Sequence, residues 1–185
     1  YIKNSFEDQG RGHYDYAKLF VERATDILND TGELGYVLPR QSLVLGGWKK
    51  LRQRLIKDSE VTVLQARNRG GWIFENIHHS YMIVLMTSAP GEESGAHIWP
   101  AIEREQAIDE ISLSNSIYLS YEDLANLTTE SPVAIPWFND SGARDVLPKM
   151  EGRNRLSHER GWFTCKHDSL WDFRGSGLHS HLSTS

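Results

Sequence analysis

The chain has 185 residues, a formal net charge of -5 and 39% hydrophobic residues. With 6 Trp, 7 Tyr and 6 Phe available for a core, the composition excludes a globally disordered chain. The sequence contains no run of about 18 apolar residues, so it encodes no transmembrane helix. A single cysteine, Cys165, cannot form an intramolecular disulfide. We therefore expect a folded cytoplasmic protein with no membrane contact.

Charge is distributed unevenly along the chain. Residues 40–69 contain eight basic and two acidic residues, whereas residues 92–130 contain nine acidic residues and one basic residue. A basic segment in an acidic protein is a candidate for contact with a phosphate backbone, because local charge sets the field at a surface. The alternative is a solvated helix face that needs no partner. The DNA-contact hypothesis applies to Arg40, Lys49, Lys50, Arg52, Arg67 and Arg69.

Apolar spacing predicts alternating helices and strands over the first ninety residues. In chain order these are a helix over 14–28, a strand over 34–38, a helix around 48–55, and strands over 61–64 and 80–87. Such alternation predicts an α/β fold with a largely parallel sheet. The continuous apolar run at 34–38 predicts a strand buried on both faces. The strand at 80–87 is reached without a helix, which favours an antiparallel orientation for it.

Three strands would leave one hydrophobic edge of the sheet without a neighbour, an arrangement that natural proteins avoid. We therefore expect an N-terminal half of the sheet that is either encoded before Tyr1 or supplied elsewhere. After residue 90 the pattern weakens, apart from a helix predicted over 121–127. This predicts two regions: residues 1–90 in the sheet, and residues 91–185 as a linker and a small mixed or irregular region.

Three sequence segments together resemble a known family. They are YDYAKLFVERA at 14–24, GELGYVLP at 32–39 and GWIFENI at 71–77, and the strand at 81–86 follows them. In this order and spacing they resemble adenine-specific DNA methyltransferases of restriction-modification and phage-defence systems. The resemblance implies that residues 1–90 are the downstream half of a class I, Rossmann-like catalytic domain that uses S-adenosylmethionine. It places this chain just after the family's Asn-Pro-Pro-Tyr tetrapeptide.

The resemblance implies methyl transfer to the N6 amine of an adenine that is flipped out of double-stranded DNA. It makes Tyr1 the tyrosine of the catalytic tetrapeptide, Phe74 the ring that stacks on the adenine, and Phe20 an aromatic beside the cofactor. Phe74 and Phe20 have an alternative interpretation as core residues. Asn-Pro-Pro, a glycine-rich loop after the first strand and an acidic ribose ligand are all absent, so we expect the chain alone to be inactive.

Histidines raise a second possibility. Glu75, His78 and His79 suggest a metal site, although adjacent histidines on an extended segment would point to opposite sides. Cys165, His167, His179 and His181 match no familiar zinc spacing, and ordinary surface histidines are the simpler interpretation, so we predict no metal site. The alternatives to a methyltransferase are therefore a non-catalytic module that binds DNA or a partner, and a metal-dependent hydrolase. The aromatic segment 135–138 begins either a target-recognition region or a packed subdomain.

Overall fold

The computed structural model describes residues 5–10, 15–91, 94–127, 133–143 and 145–146. The backbone divides into two units, residues 1–146 and residues 147–185, and every described residue belongs to the first unit. Predictions for Tyr1 and for the cysteine and histidines of residues 165–181 lie outside the described residues. The helices are α1 (Tyr16–Ile27), α2 (Gln41–Val44), α3 (Lys49–Lys57) and α4 (Tyr121–Leu127). The strands are β1 (Leu34–Pro39), β2 (Glu60–Arg67), β3 (Met82–Ala89), β4 (Gly95–Ile102) and β5 (Ile117–Ser120).

The five strands form one mixed sheet in the order β1-β3-β2-β4-β5. β3 pairs antiparallel with both β1 and β2, as its helix-free connection predicts. β2 pairs parallel with β4, and β4 pairs antiparallel with β5. The sheet is therefore mixed and not largely parallel as the alternation predicts. The physical reason is that β3 is inserted between β1 and β2, which run in the same direction without touching.

β1 lies at one edge of this sheet, which explains why its burial differs from the prediction. Although its sequence is apolar, Gly35 and Val37 face outward, and Val37 is 57% exposed. Leu38 is the buried residue of the strand. β1 thus covers β3 on one side and leaves its other side without a strand among the described residues.

β4 and β5 extend the sheet beyond residue 90, where the sequence pattern predicts an irregular region. Glycine, histidine and proline weaken the strand signal of β4, and Pro100 lies within it. A proline is tolerated there because the pairing with β5 ends at Ile98, and the pairing with β2 shifts register between Leu64 and Ala66. The predicted helix over 121–127 is confirmed as α4.

Helix α1 buries polar groups and exposes apolar ones. Asp15 caps its first turn by accepting a hydrogen bond from the N–H of Ala17. Glu22 is buried and accepts hydrogen bonds from the backbone N–H groups of residues 7 and 8 and from the side chain of Gln9. Lys18, also buried, donates to the carbonyl of Gln9. The helix therefore holds segment 7–9 with its polar face.

The opposite face of α1 carries an exposed apolar stripe. Tyr16, Phe20 and Ile27 are exposed, with Phe20 at 70%. Their spacing of about one and two helical turns predicts one continuous stripe. This face does not belong to the core formed by the described residues. Within those residues, no helix combines the length and the apolar character that a bilayer span requires.

Candidate functional site at the carboxyl edge of the sheet

Strands β1, β2 and β4 run in the same direction, so their carboxyl ends lie at one edge of the sheet. Pro39 at the end of β1 pairs with Ile83, and Arg67 at the end of β2 pairs with Met82, at the start of β3. We call this the carboxyl edge, defined by the ends of β1, β2 and β4 and by the connection between β2 and β3. In open α/β sheets, ligands bind outside the carboxyl ends of the parallel strands.

The connection between β2 and β3, residues 68–81, projects from the carboxyl edge; we call it the Phe74 turn. Phe74 lies within it and is 41% exposed, so its side chain is not enclosed by the described residues. All side chains from Phe74 to Tyr81 are exposed. The core interpretation of Phe74 therefore has little support, because the ring is not enclosed.

Backbone conformation and hydrogen bonds shape the start of the Phe74 turn. Gly70 and Gly71 adopt φ values of 68° and 74°, in the left-handed region that favours glycine. The indole N–H of Trp72 donates to the carbonyl of Arg67 at 2.8 Å. An open hollow of about 470 Å³ adjoins these glycines and is lined by Gly70, Gly71, Glu75, Asn76, Ile77, His78 and His79.

Three of the six predicted DNA contacts lie at the carboxyl edge. Arg67 and Arg69 both pair with Glu103, which follows β4, at N–O distances of 3.6 and 2.9 Å. Arg67 also donates to the side chain of Asn139. Arg40 follows β1 directly, and its guanidinium lies 5.6 Å from the ring centre of Trp137. The structure thus places Arg40 and Arg67 at the ends of two strands, and Arg69 within the Phe74 turn itself.

Lys49 and Lys50 form the first turn of α3. After β1 the chain is at the carboxyl edge, and it then passes through α3 to the opposite ends of the strands, where β2 begins. The first turn of α3 is therefore at the carboxyl side of the molecule. Lys50 is exposed and donates to the carbonyl of Glu7 at 3.0 Å.

Arg52 does not belong to this surface. Its side chain is buried and donates to the carbonyls of Ser42, Leu45 and Val133 at 2.9, 2.8 and 3.2 Å. Burial lowers the pKa of Arg52 to about 10, which leaves it protonated at neutral pH. The structure therefore removes Arg52 from the predicted DNA contacts, because an enclosed guanidinium that binds main-chain carbonyls is not available to a phosphate.

Segment 133–138 is a part of this region whose role the sequence leaves open. It is irregular but buried, and the buried amide of Gln65 holds it by donating to the carbonyl of Pro136 and accepting from the N–H of Phe138. The N–H of Ala101 also donates to Phe138, and the N–H of Ile135 donates to Leu43. Burial supports the packing interpretation for Ile135 and Phe138, whereas Trp137 remains partly exposed beside Arg40.

The two histidines of the Phe74 turn are arranged differently from the prediction. The rings of His78 and His79 lie 4.1 Å apart, on the same side, because they belong to a turn and not to an extended segment. Nδ1 of His78 interacts with the hydroxyl of Ser80 at 2.8 Å. Across the described ranges, no group of three histidine, cysteine or acidic side chains is placed to hold a metal ion.

Comparison with known protein families gives a match for the first part of the chain. The family model of the Eco57I restriction-modification methylase matches residues 1–68 of the 185 residues. No curated protein matches the chain. The matched range covers α1 to β2 and ends at Asn68, the first residue of the Phe74 turn. The mixed α/β sheet is compatible with a methyltransferase-like fold, and residues 1–68 are similar to this restriction-modification methylase family.

Proposed function

We propose that this chain is the downstream half of the catalytic domain of a DNA adenine-N6 methyltransferase that uses S-adenosylmethionine. The observation that carries the proposal is the carboxyl edge, where a partly exposed Phe74 lies on a turn beside Arg40, Arg67 and Arg69. An aromatic ring with adjacent arginines suits a base that has left the duplex and the phosphates that flank it. The family match over residues 1–68 supports methyl transfer as the reaction.

In this proposal the arginines bind DNA phosphates and Phe74 stacks on the extruded adenine. Tyr1, as the tyrosine of the catalytic tetrapeptide, covers the same base. The reaction needs the adenine amine to be held in line with the methyl donor, so rate enhancement comes from orientation and electrostatic complementarity, without a covalent enzyme intermediate. Lys49 and Lys50 extend the phosphate-binding surface along α3.

In this proposal the described residues supply only part of the S-adenosylmethionine site. Phe20 supplies one exposed aromatic face, but the carboxylates on and next to its helix already have other partners. Asp15 caps α1, Glu22 binds segment 7–9, and Asp26 pairs with Arg54 at 2.7 Å. β1 ends at Pro39 and is followed by Arg40, where no glycine-rich loop is present. The proposal therefore assigns most cofactor contacts to the upstream half of the domain.

The free side of β1 and the apolar stripe of α1 support the position of that upstream half. β1 ends the strand order, and Val37 on it is exposed. Tyr16, Phe20 and Ile27 form the exposed stripe on the preceding helix. Native sheets cover or protect apolar edges of this kind, because an open edge invites aggregation. We propose that the upstream strands pair with β1 and pack on this stripe.

The experiment that tests the function measures methyl transfer by the intact enzyme. Radiolabelled S-adenosylmethionine is incubated with unmethylated DNA, and the digested product is analysed for N6-methyladenine. Methylated adenine is the expected result. Specific DNA binding without any methyl transfer would instead favour the non-catalytic DNA-binding module.

A further inference from the structure

We propose that Asn68 is the positioning residue that sets the place of the Phe74 ring, so that base capture depends on a buried amide that touches neither DNA nor cofactor. This inference rests on the proposed function, in which Phe74 stacks on the extruded adenine. Asn68 directly follows β2 and is fully buried.

Every hydrogen-bonding group of the Asn68 side chain has a partner in the Phe74 turn. Its Oδ1 accepts from the backbone N–H groups of Ile73 and Phe74, both at 3.1 Å. Its Nδ2 donates to the carbonyls of Phe74 and Ile77, both at 2.8 Å. A primary amide offers two donors and two acceptor lone pairs, so the turn uses all of them. Aspartate lacks the two donors, and its second oxygen would face two carbonyls.

The backbone of Asn68 is itself fixed to both ends of the turn. Its N–H donates to the carbonyl of Tyr81 at 3.3 Å, and its carbonyl accepts from the N–H of Gly71 at 3.2 Å. β2, which it follows, pairs with β3 on one side and β4 on the other. The side-chain amide of Asn68 therefore fixes the projecting Phe74 turn to the end of a strand in the middle of the sheet.

Apolar burial cannot replace this function of Asn68. The side chains from residue 74 to residue 81 are all exposed, so the turn gains little from the hydrophobic effect. A segment with few buried contacts opens at low free-energy cost unless its backbone groups are bonded elsewhere. Phe74 is bonded to the amide through both its N–H and its carbonyl. Loss of the amide should thus leave the ring in place only part of the time.

The test compares two isosteric substitutions in the intact enzyme, Asn68→Asp and Gln65→Glu. Both residues are fully buried amides that bind main-chain groups, but Gln65 holds segment 136–138 instead of the Phe74 turn. Base extrusion is read by fluorescence of 2-aminopurine at the target position, and DNA affinity is measured separately. We expect Asn68→Asp to lower extrusion about 10-fold, within the roughly 5- to 150-fold that a stacking platform contributes. DNA affinity should change less than 2-fold, and Gln65→Glu should leave extrusion unchanged.

A double-mutant cycle with Phe74→Ala decides whether Asn68 acts through the ring. In the Phe74→Ala background, Asn68→Asp should cause no further loss of extrusion. An undiminished 10-fold loss in that background would overturn the proposal. An effect of Gln65→Glu as large as that of Asn68→Asp would overturn it as well, because it would indicate a general loss of structure.

Amide exchange of the wild-type enzyme tests the same inference without relying on a folded variant. The amides of Ile73 and Phe74 should exchange at least 10-fold more slowly than the amide of the exposed Glu75. Equal exchange rates would overturn the role of Asn68. If Phe74→Ala leaves extrusion intact while these two amides are protected, the stacking function of Phe74 fails and the turn-holding role of Asn68 stands.

Discussion

At the residue scale, buried polar side chains organise the irregular segments of this protein. Asn68 holds the Phe74 turn, Gln65 and Arg52 hold segment 133–138, and Glu22 holds segment 7–9. In each case the side chain satisfies main-chain groups that no helix or strand satisfies, which is the condition for burying them. Among these residues, Asn68 holds the turn that carries Phe74.

Substitution of Arg52 should therefore affect stability and not DNA binding. Arg52→Met removes the donors to three carbonyls, and leaving such buried acceptors unsatisfied costs about 1–3 kcal/mol. Thermal denaturation should show a clearly lower Tm. The matched control is Arg69→Met, whose side chain is 66% exposed and whose loss should change stability by only about 0.5 kcal/mol. DNA binding should show the opposite ranking of the two variants. Arg69→Met should lower the slope of log affinity against log salt by about 0.9. A lower slope for folded Arg52→Met would contradict the structural role of Arg52.

The exposed ring of Phe74 gives a prediction for base capture. Phe74→Ala should weaken extrusion of the target base, because an aromatic platform contributes about 1–3 kcal/mol per stacked base. Phe74→Trp should retain much of the activity, since stacking requires a flat aromatic face. Ile77→Ala is the control: Ile77 lies in the same turn and is 42% exposed, against 41% for Phe74. A lower Tm for Phe74→Ala with normal 2-aminopurine fluorescence would indicate a packing residue.

The sequence cannot separate the buried from the exposed polar residues. Arg52 and Lys50 both lie in the basic run of α3, yet Arg52 is enclosed and Lys50 is exposed. The carbonyls that bind Arg52 come from residues 42, 45 and 133, and the last of these is 81 positions away. Such partners become neighbours only in the folded chain. The charge pattern alone therefore predicts an exposed side chain for Arg52, which is in fact buried. Asn68 is missed for the same reason, since its role depends on a turn that sequence identifies only as glycine-containing.

At the element scale, the ends of β2 and β4 place an acidic side chain against the proposed phosphate contacts. Glu103 follows β4 and pairs with both Arg67 and Arg69. In the proposed DNA complex, a phosphate would have to compete with this carboxylate for the two guanidinium groups. We therefore expect the pairing to limit the affinity of the carboxyl edge for DNA.

Glu103→Gln should increase DNA affinity at low salt. Exposed ion pairs contribute at most about 1 kcal/mol, so the expected gain is up to about 5-fold. Glu105→Gln removes the same charge from the neighbouring exposed turn and serves as the control. An equal gain in both variants would mean that net charge matters and that the pairing does not. The gain should disappear when Arg67 and Arg69 are both replaced by glutamine.

Helix α3 permits a second test of DNA contact, because its first turn lies on the side of the carboxyl edge and its last turn lies toward the opposite ends of the strands. Replacing Lys49 and Lys50 with glutamine should lower the slope of log affinity against log salt by up to about 1.8, or about 0.9 for each phosphate contact. Lys57→Gln is the control, since Lys57 is exposed in the last turn of the same helix, away from the carboxyl edge. An unchanged slope for the Lys49 and Lys50 variant would return this face of α3 to the solvated interpretation.

The elements themselves were predictable where apolar spacing is regular. Helices α1, α3 and α4 and strands β1, β2 and β3 lie where the sequence predicts them, with boundaries that differ by a few residues. β4 escapes prediction because His97 and Pro100 interrupt its apolar pattern, and β5 has only 4 residues. Apolar spacing also does not predict strand order, because the position of β3 between β1 and β2 depends on contacts between residues that are distant in sequence. The exposed apolar stripe of α1 shows that an amphipathic pattern does not by itself predict which face of a helix is buried.

At the scale of the whole molecule, the two edge strands of the sheet, β1 and β5, differ in length and in what adjoins them. β5 is a short edge strand, and its Ser120 is followed at once by α4. β1 is a longer apolar edge strand, with the exposed stripe of Tyr16, Phe20 and Ile27 on the preceding helix. Short edges are protected against unwanted pairing, whereas a long apolar edge is suited to pairing with further strands. The asymmetry supports our proposal that the upstream half of the domain joins at β1.

This arrangement leads to a prediction for the 185-residue chain by itself. It should neither bind S-adenosylmethionine tightly nor methylate DNA, because Phe20 provides a single aromatic face and the α1 carboxylates Asp15, Glu22 and Asp26 are engaged elsewhere. One stacking contact contributes about 1–3 kcal/mol, whereas a micromolar Kd requires about 8.2 kcal/mol. Isothermal titration calorimetry should therefore show no saturable binding at micromolar cofactor, with the intact enzyme as the positive control. A micromolar Kd for the chain alone would contradict the half-domain proposal, since it would require a complete cofactor pocket within these residues.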